Sequence, residues 1–240
     1  MRTVLRGTGQ LLITAGLVLL LFCFYELRVT NLVTARAQER LGEELRQLWG
    51  AEREQPSASN GSTPTVGQVV PDSPVSRRAA PQLGTGMAIL YVPSFGRDWQ
   101  PHVVVEGVSV ADLKRGPGHM PDTALPGEVG NVVLSGHRTT YGAPFADSDL
   151  LRPGDVVVLE TRTGWFAYTV RGSEVVTPTA VEVTFAVPGD RSATPTERLL
   201  TMTTCNPKYS ARQRLVVRAG LSASAPHDAG PPAVLAREGG

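Results

Sequence analysis

Short β-like runs dominate residues 83–223, and they constrain the fold more than any other feature of the chain. The runs are rich in β-branched and aromatic residues, and turn sequences such as Pro153-Gly154-Asp155 separate them. They cover residues 88–92, 102–105, 131–134, 156–160, 165–175, 199–204 and 214–219. Only one short helix is expected, at residues 110–115. This pattern predicts an all-β barrel or sandwich.

An apolar stretch without charged residues lies between Arg6 and Glu26, and residues 11–25 are its most apolar part. At ~1.5 Å per residue it is long enough to cross roughly 30 Å of hydrocarbon. The positive charge before it predicts a cytoplasmic segment at 1–10, a transmembrane anchor at 11–27 and an extracellular catalytic domain. The alternative is a cleaved signal peptide, although the small residues at 35–37 lie far beyond the apolar core.

Three further segments flank the β-rich region. Leucines at roughly helical spacing predict a juxtamembrane helix at 28–54, either a solvated continuation of the anchor or a stalk that contacts a second copy. Residues 55–82 are rich in Pro and Ser and predict a flexible linker. The Ala-, Pro- and Gly-rich residues 224–240 predict a disordered tail.

The overall composition permits a packed domain and disfavours polyelectrolyte partners. Hydrophobic residues make up 41% of the chain, and the formal net charge is +1. The sequence has no basic stripe interleaved with aromatic residues, so we expect no nucleic-acid partner. It also has no convincing acidic cluster, so we expect no metal site, and nothing indicates a cofactor.

Cys205 ends one of the predicted strands, within the sequence LLTMTTCNP at 199–207. The only other cysteine, Cys23, lies in the apolar N-terminal segment, so Cys205 has no disulfide partner in its own domain. An unpaired cysteine at a strand end is a candidate nucleophile. The structural alternative is a small buried apolar residue, which is the commoner role of a free cysteine in a strand.

Two other side chains could complete a catalytic site with that thiol. His137 follows the predicted strand 131–134, and Arg214 begins the strand after Cys205, across a short connection. An imidazolium stabilises a thiolate and later protonates a leaving amine, and a guanidinium stabilises a carbonyl oxygen that gains charge. Taken singly, His137 is also compatible with a surface histidine, and Arg214 with a solvated or salt-bridged arginine.

The sequence around these residues resembles that of sortases, the cysteine transpeptidases of Gram-positive cell surfaces. Thr203-Thr204-Cys205 is similar to the sortase cysteine signature, the sequence GHR at 136–138 to the histidine motif, and Arg214 lies where the sortase arginine is expected. Met202 departs from the usual signature by an apolar substitution that a strand interior tolerates. The resemblance covers residues 87–221, and segments 116–121, 125–127 and 130–131 look most like class E sortases of actinobacteria.

This resemblance implies a sortase-like closed barrel of about eight strands with one or two short helices, at residues 83–223. It also implies transpeptidation, in which Cys205 attacks the Thr–Gly bond of a C-terminal sorting signal of the L-A-x-T-G or L-P-x-T-G type. His137 would protonate the leaving glycine amine, and Arg214 would hold the substrate backbone or the oxyanion. A cell-wall amine would then resolve the thioester.

The resemblance suggests further substrate-binding residues and partners. Thr203 and Thr204 would shape the substrate groove, with His119 and Met120 beside it, although His119 could equally stabilise its own turn. The expected partners are secreted proteins with a sorting signal and a peptidoglycan precursor amine. Three alternatives remain open: a pilin-polymerising enzyme with a lysine acceptor, a catalytically silent cell-surface binding domain, and a simple cysteine endopeptidase.

Overall fold

The computed structural model describes residues 2–53 and 81–236, and within them eight strands close into a barrel. The spatial order is β1-β2-β3-β4-β7-β8-β6-β5, and the ring closes where β1 pairs with β5. The strands are β1 (Gly86–Tyr91), β2 (His102–Glu106), β3 (Gly118–His119), β4 (Gly130–Ser135), β5 (Val156–Thr161), β6 (Gly164–Val176), β7 (Arg198–Asn206) and β8 (Gln213–Pro226). The barrel prediction is confirmed.

Helices contribute little to the barrel itself. They are α1 (Arg2–Arg53), α2 (Val110–Leu113) and α3 (Ala233–Ala236), with single 3-10 turns at Pro93–Phe95, Ser148–Leu150, Val181–Thr184 and His227–Ala229. The predicted helix at 110–115 is present as α2. It begins at a capping box, in which the Ser109 and Asp112 side chains each bond the backbone of the other residue.

Alternation along the strands separates a packed interior from an outer face. On β7, Leu200 and Met202 point into the barrel and are buried, opposite Val217 and Ala219 of β8. The intervening residues of β7, including Thr203 and Cys205, therefore point outward. The buried interior residues are Ala88, Leu90, Val92, Val104, Val132, Leu134, Phe145, Leu151, Val157, Leu159, Tyr168, Val170, Leu200, Met202, Val217 and Ala219.

The long helix α1 has two parts with different surroundings. In the first part, the large apolar side chains that the structure describes between Leu11 and Tyr25 are more than half exposed. Among the described residues, no helix has both the length and the apolar character needed to cross a membrane. In the second part, Leu41, Leu45 and Trp49 are buried against strands β1 and β2. The predicted juxtamembrane helix is thus not solvated all round but docks on the barrel.

The predicted boundaries need two corrections and leave one segment untested. Strand β3 was missed because it is only two residues long. Residues 224–226, predicted to be disordered, complete β8 by pairing with Gly164–Phe166, and the 3-10 turn His227–Ala229 and α3 follow. Backbone pairing with β6 outweighs the weak strand tendency of this Ala-rich segment. Of the predicted linker, residues 55–80 lie outside the described residues, as do residues 237–240 of the tail.

Candidate active site

Cys205 lies near the end of β7, on the outer face of the barrel. It is a free thiol and is partly exposed. Its direct cross-strand partner is Arg214 of β8. Cross-strand partners project to the same side of a sheet with Cβ atoms ~4.5–5.5 Å apart. The structure therefore brings Cys205 and Arg214 together, as the sequence predicted, and we call their surface the Cys205 face.

His137 approaches this face from the neighbouring strand. β4 runs parallel to β7 and pairs Ser135 with Thr203, and the Gly136 N–H donates to the Thr203 carbonyl at 3.1 Å. His137 lies two residues beyond the last pair of these strands. Its neighbours on both sides contact β7, since the Thr204 hydroxyl donates to the Gly136 carbonyl and the Arg138 guanidinium donates to the Cys205 carbonyl. His137 therefore lies at the same edge of the barrel as Cys205 and Arg214.

The imidazole of His137 is incompletely satisfied. Its Nε2 atom is buried and has no hydrogen-bond partner within the described part of the chain, and its Nδ1 atom lies 3.5 Å from the Thr140 hydroxyl. The ring of Tyr141 packs against it, with centroids 4.8 Å apart. Burial, and secondarily the positive charge of Lys114, lower the pKa of His137 below its ordinary value. The neutral ring can accept a proton from a nearby thiol.

Arg138, next to His137, is a site residue that sequence reasoning did not single out. Its side chain is buried and points away from solvent. One guanidinium nitrogen donates to the Cys205 carbonyl at 3.3 Å and to the Asn206 side-chain oxygen at 2.6 Å, and another contacts Asp149 at 3.0 Å. Arg138 thus anchors the end of β7 that carries the thiol. The available signal was its place directly after His137, but its inward orientation depends on tertiary contacts.

The guanidinium of Arg214 is held by its own loop. One nitrogen donates to the Ala211 carbonyl at 2.9 Å and to the Gln213 carbonyl at 3.0 Å. Within the described part of the chain, the other guanidinium N–H groups have no hydrogen-bond partner. A guanidinium oriented in this way can donate to a carbonyl or an oxyanion without first losing other partners.

The two threonines before Cys205 have different positions. Thr204 is buried, and its hydroxyl donates to the Gly136 carbonyl at 2.7 Å, which ties β7 to the end of β4. Thr203 faces outward, beside Ser135 on β4 and Val216 on β8, and is partly exposed. Only Thr203 therefore offers its side chain to a molecule bound at the Cys205 face, whereas Thr204 supports the strand from beneath.

His119 lies elsewhere than predicted for a residue that contacts substrate. It is 1% exposed on β3, with Nδ1 2.7 Å from the Glu106 carboxylate and Nε2 3.0 Å from the Thr123 hydroxyl and 3.1 Å from the Ala124 carbonyl. Its position corrects the prediction, because a fully enclosed and bonded ring has no surface to offer. Met120, the next residue, is partly buried, and its N–H donates to the Val133 carbonyl at 2.9 Å.

No metal site accompanies these groups. Within the described ranges, no cluster of three or more His, Cys, Asp or Glu side chains is placed to hold a metal ion. The arrangement instead offers a thiol, a proton-accepting imidazole and a guanidinium. These groups suit nucleophilic acyl transfer without further help.

Comparison with known proteins places this geometry in a family. A model of the sortase domain matches residues 90–222. Sortase SrtE2 of Streptomyces coelicolor is 34% identical over 219 residues, which span 87% of this chain and 78% of that protein. The structure of sortase E from Streptomyces avermitilis is 41% identical, covers 64% of this chain and 99% of that chain, and gives a TM-score of 0.58.

A second solved structure supports the same assignment. The SrtF sortase from Corynebacterium diphtheriae is 34% identical, covers 67% of this chain and 96% of that chain, and gives a TM-score of 0.62. The agreement therefore extends from the sequence motifs to the whole barrel. This chain belongs to the sortase family of cysteine transpeptidases and most resembles its class E members.

Proposed function

We propose that this protein is a membrane-anchored sortase that cleaves the Thr–Gly bond of a C-terminal sorting signal and transfers the new carboxyl end to a cell-wall amine. The observation that carries the proposal is the register of three strands. Arg214 of β8 is paired with Cys205 of β7, and the residues on either side of His137 contact the end of β7 at Thr203 and Cys205. Family membership supports the reaction class, and this alignment supports the residue roles.

Acylation begins at the thiol. The Cys205 sulfur, as thiolate, attacks the threonine carbonyl carbon, and a tetrahedral intermediate forms. The C–N bond to glycine then breaks, and the proton that His137 took from the thiol goes to the departing amine. The product is a thioester between Cys205 and the threonine carbonyl. Release of the amine fragment leaves the face open for the second substrate.

Deacylation reverses the proton movements. The acceptor amine attacks the thioester carbonyl, His137 takes the amine proton, and the C–S bond breaks to return the Cys205 thiolate. In both steps the unengaged N–H groups of Arg214 donate to the substrate oxygen that gains negative charge. Arg138 acts indirectly, since its bond to the Cys205 carbonyl keeps the nucleophile in place.

Several substrate details come from the family likeness. The class E resemblance favours an L-A-x-T-G type signal over L-P-x-T-G. The sortase E1 of Streptomyces coelicolor has been solved with a tripeptide in its active site. By analogy, we propose that an extended peptide lies along the Cys205 face of this protein, over Thr203 and beside Met120. The acceptor is a peptidoglycan precursor amine.

The first part of α1 supports membrane anchoring at residues 11–27, with the N-terminus in the cytoplasm and the barrel outside. Its apolar side chains are exposed around the helix, and such a surface is stable in lipid rather than in water. The most apolar part of α1 ends at Tyr25, and Asn31 lies six residues later, about 9 Å further along the helix. Anchoring would keep the enzyme and a membrane-held substrate on one surface and raise their effective concentration.

A direct test uses the full chain in detergent micelles or vesicles. The protein would be incubated with L-A-x-T-G and L-P-x-T-G peptides and one of three acceptors: a diaminopimelate amine, oligoglycine or a pilin-like lysine peptide. Mass spectrometry would follow the products, with Cys205→Ala as the matched control. We expect cleavage between Thr and Gly and a ligated product from the wild type only.

Other outcomes would change the assignment. Preference for the lysine peptide would indicate a pilin-polymerising enzyme. Hydrolysis without ligation when amine is abundant would indicate an endopeptidase. No cleavage and no adduct on Cys205 with either peptide would contradict the proposal and favour a silent binding domain.

A further inference from the structure

The second half of α1 is joined to the barrel by hydrogen bonds as well as by apolar contacts. The Gln38 side-chain amide accepts from the Val103 N–H at 2.6 Å and donates to the Val103 carbonyl at 3.0 Å and the Arg115 carbonyl at 2.7 Å. β1 pairs with Val103 on one side of β2, but β3 pairs with the other side only from Val105 onward, so among the described strands none lies beside that other side at Val103. The Gln38 amide takes the place of the missing strand and satisfies these backbone groups.

The barrel surface is shaped for this helix. A side chain at Gly116 would bring its Cβ atom within 2.2 Å of the Gln38 amide nitrogen. A Cβ atom at Gly86 would crowd the Val103 side chain of the barrel at 2.9 Å but would lie at ordinary contact distance from the helix, 3.8 Å from the Leu41 carbonyl. Leu41, at the centre of the contact, is 1% exposed. Such close complementarity is typical of packed protein interiors and not of incidental surface contact.

One turn closer to the N-terminus, the helix reaches the loop that follows His137. The Thr34 hydroxyl, which is buried, donates to the Lys114 carbonyl at 2.8 Å. The Gly142 N–H donates to the Asn31 side-chain oxygen at 3.0 Å. These two bonds hold the end of α2 and the His137 loop against the same stretch of α1.

The two hydrogen bonds hold Lys114 and Gly142, which both lie beside Tyr141, the residue that packs against His137. The ammonium group of Lys114 lies 5.5 Å from the centre of the Tyr141 ring, and Gly142 follows Tyr141 in the chain. Tyr141, Gly142 and Ala143 all have positive φ angles, at 53°, 76° and 44°. A left-handed conformation is strained for a non-glycine residue, so this loop depends on contacts outside itself to keep its shape.

We propose that Asn31 and Thr34 are positioning residues for the transfer reaction: the docked helix holds the His137 loop, through Gly142, Lys114 and Tyr141, in the orientation that the imidazole needs. The proposal rests on the proposed function. The membrane-proximal helix is therefore part of the catalytic unit and not merely its tether, and a fragment that begins after the linker lacks this support.

The test uses the full chain in detergent with a Cys23→Ser background, so that Cys205 is the sole thiol. Thr34→Val removes the hydroxyl and Thr34→Ser keeps it. Asn31→Ala removes the acceptor and Asn31→Asp keeps it. Arg40→Ala, on the exposed side of the same helix, is the matched control. For Thr34→Val and Asn31→Ala we expect kcat to fall about threefold to tenfold with KM within about twofold.

Two further measurements make the outcome decisive. The rate of Cys205 alkylation by iodoacetamide at neutral pH needs no peptide substrate, so it tests the inference even if transpeptidation fails. We expect a slower rate in Thr34→Val and Asn31→Ala, wild-type rates in Thr34→Ser, Asn31→Asp and Arg40→Ala, and unchanged melting temperatures in the last three. If Thr34→Val and Asn31→Ala lower the melting temperature but leave kcat and alkylation unchanged, the helix only stabilises the barrel and the inference is wrong.

Discussion

Two Gly-His pairs occur at strand ends of this barrel, and their surroundings differ sharply. Gly118-His119 ends β3 and Gly136-His137 follows β4, the strand that pairs with β3. The ring of His119 is closed in by a carboxylate, a hydroxyl and a carbonyl. The ring of His137 has a buried nitrogen without a partner among the described residues and lies next to Arg138, which bonds the Cys205 carbonyl.

The comparison shows what separates a structural histidine from a reactive one. Both rings are preceded by glycine, so local sequence does not distinguish them, although His119 is fully buried and His137 only partly. The difference lies in the partners: buried polar groups are normally satisfied, and a group left unsatisfied needs an explanation. In the proposed mechanism the free nitrogen of His137 receives the proton of Cys205, whereas both ring nitrogens of His119 already have partners.

The largest expected effect separates the two histidines by activity. His137→Ala should lower the rate of peptide transfer by about 10²–10⁴, since proton transfer by a positioned side chain contributes about that factor. The free energy of unfolding should change little, because the ring makes one long polar contact, at 3.5 Å. Steady-state kinetics and urea unfolding of the full chain measure both quantities. Activity within tenfold of wild type would remove His137 from the mechanism.

The complementary change should affect stability. His119→Ala leaves the Glu106 carboxylate buried without its partner, and breaking a buried pair in this way costs ~3–5 kcal/mol. Urea unfolding should show that loss, while the folded fraction keeps its transfer rate. If His119→Ala instead keeps its stability and loses activity, the ring belongs to the active site after all.

A smaller effect is expected from the neighbouring threonines. Thr204→Val leaves the Gly136 carbonyl without the buried hydroxyl that donates to it, which should cost ~1–3 kcal/mol of unfolding free energy. Thr203→Val, on the outer face, is the matched control and should change stability by less than about 0.5 kcal/mol. Equal losses in the two variants would contradict the assignment of inner and outer faces near Cys205.

The smallest expected effect concerns the two lysines of the chain. Lys114 disfavours the imidazolium form of His137, so Lys114→Met should raise the pKa of His137. The pKa should stay below 6.5 because burial, the larger cause, remains. Lys208→Met, which removes the contact with Asp147, is the control and should leave the pKa unchanged. An NMR titration of the His137 ring measures both, and a fall in pKa for Lys114→Met would reverse the sign expected here.

The sequence predicted the strands of the barrel and its thiol because both depend on local patterns. Alternating residues and turns located most strands, and the run before Cys205 located the nucleophile. The role of Arg138 escaped prediction, and the sequence left the role of His119 open between substrate contact and turn stabilisation, since each depends on partners distant in sequence: Cys205 and Asp149 for one, Glu106 for the other.

The docking of α1 was missed for a related reason. Its leucines predict a helix, but they do not say whether the apolar side meets solvent, a second copy or the barrel. The deciding contacts join Gln38 to Val103 and Arg115, which are 65 and 77 residues away. Gly116 on the barrel is visible in the sequence, yet only the packed structure shows that it makes room for the Gln38 side chain of the helix.

The most direct test of the account is the pH dependence of Cys205 alkylation, compared between wild type and His137→Gln in a Cys23→Ser background. If the imidazole of His137 takes the proton of the thiol, the wild type should be alkylated faster than His137→Gln at neutral pH, and the rates of the two proteins should depend differently on pH. Identical titration curves for the two proteins would mean that His137 and Cys205 do not form one site, and the proposed mechanism would fail.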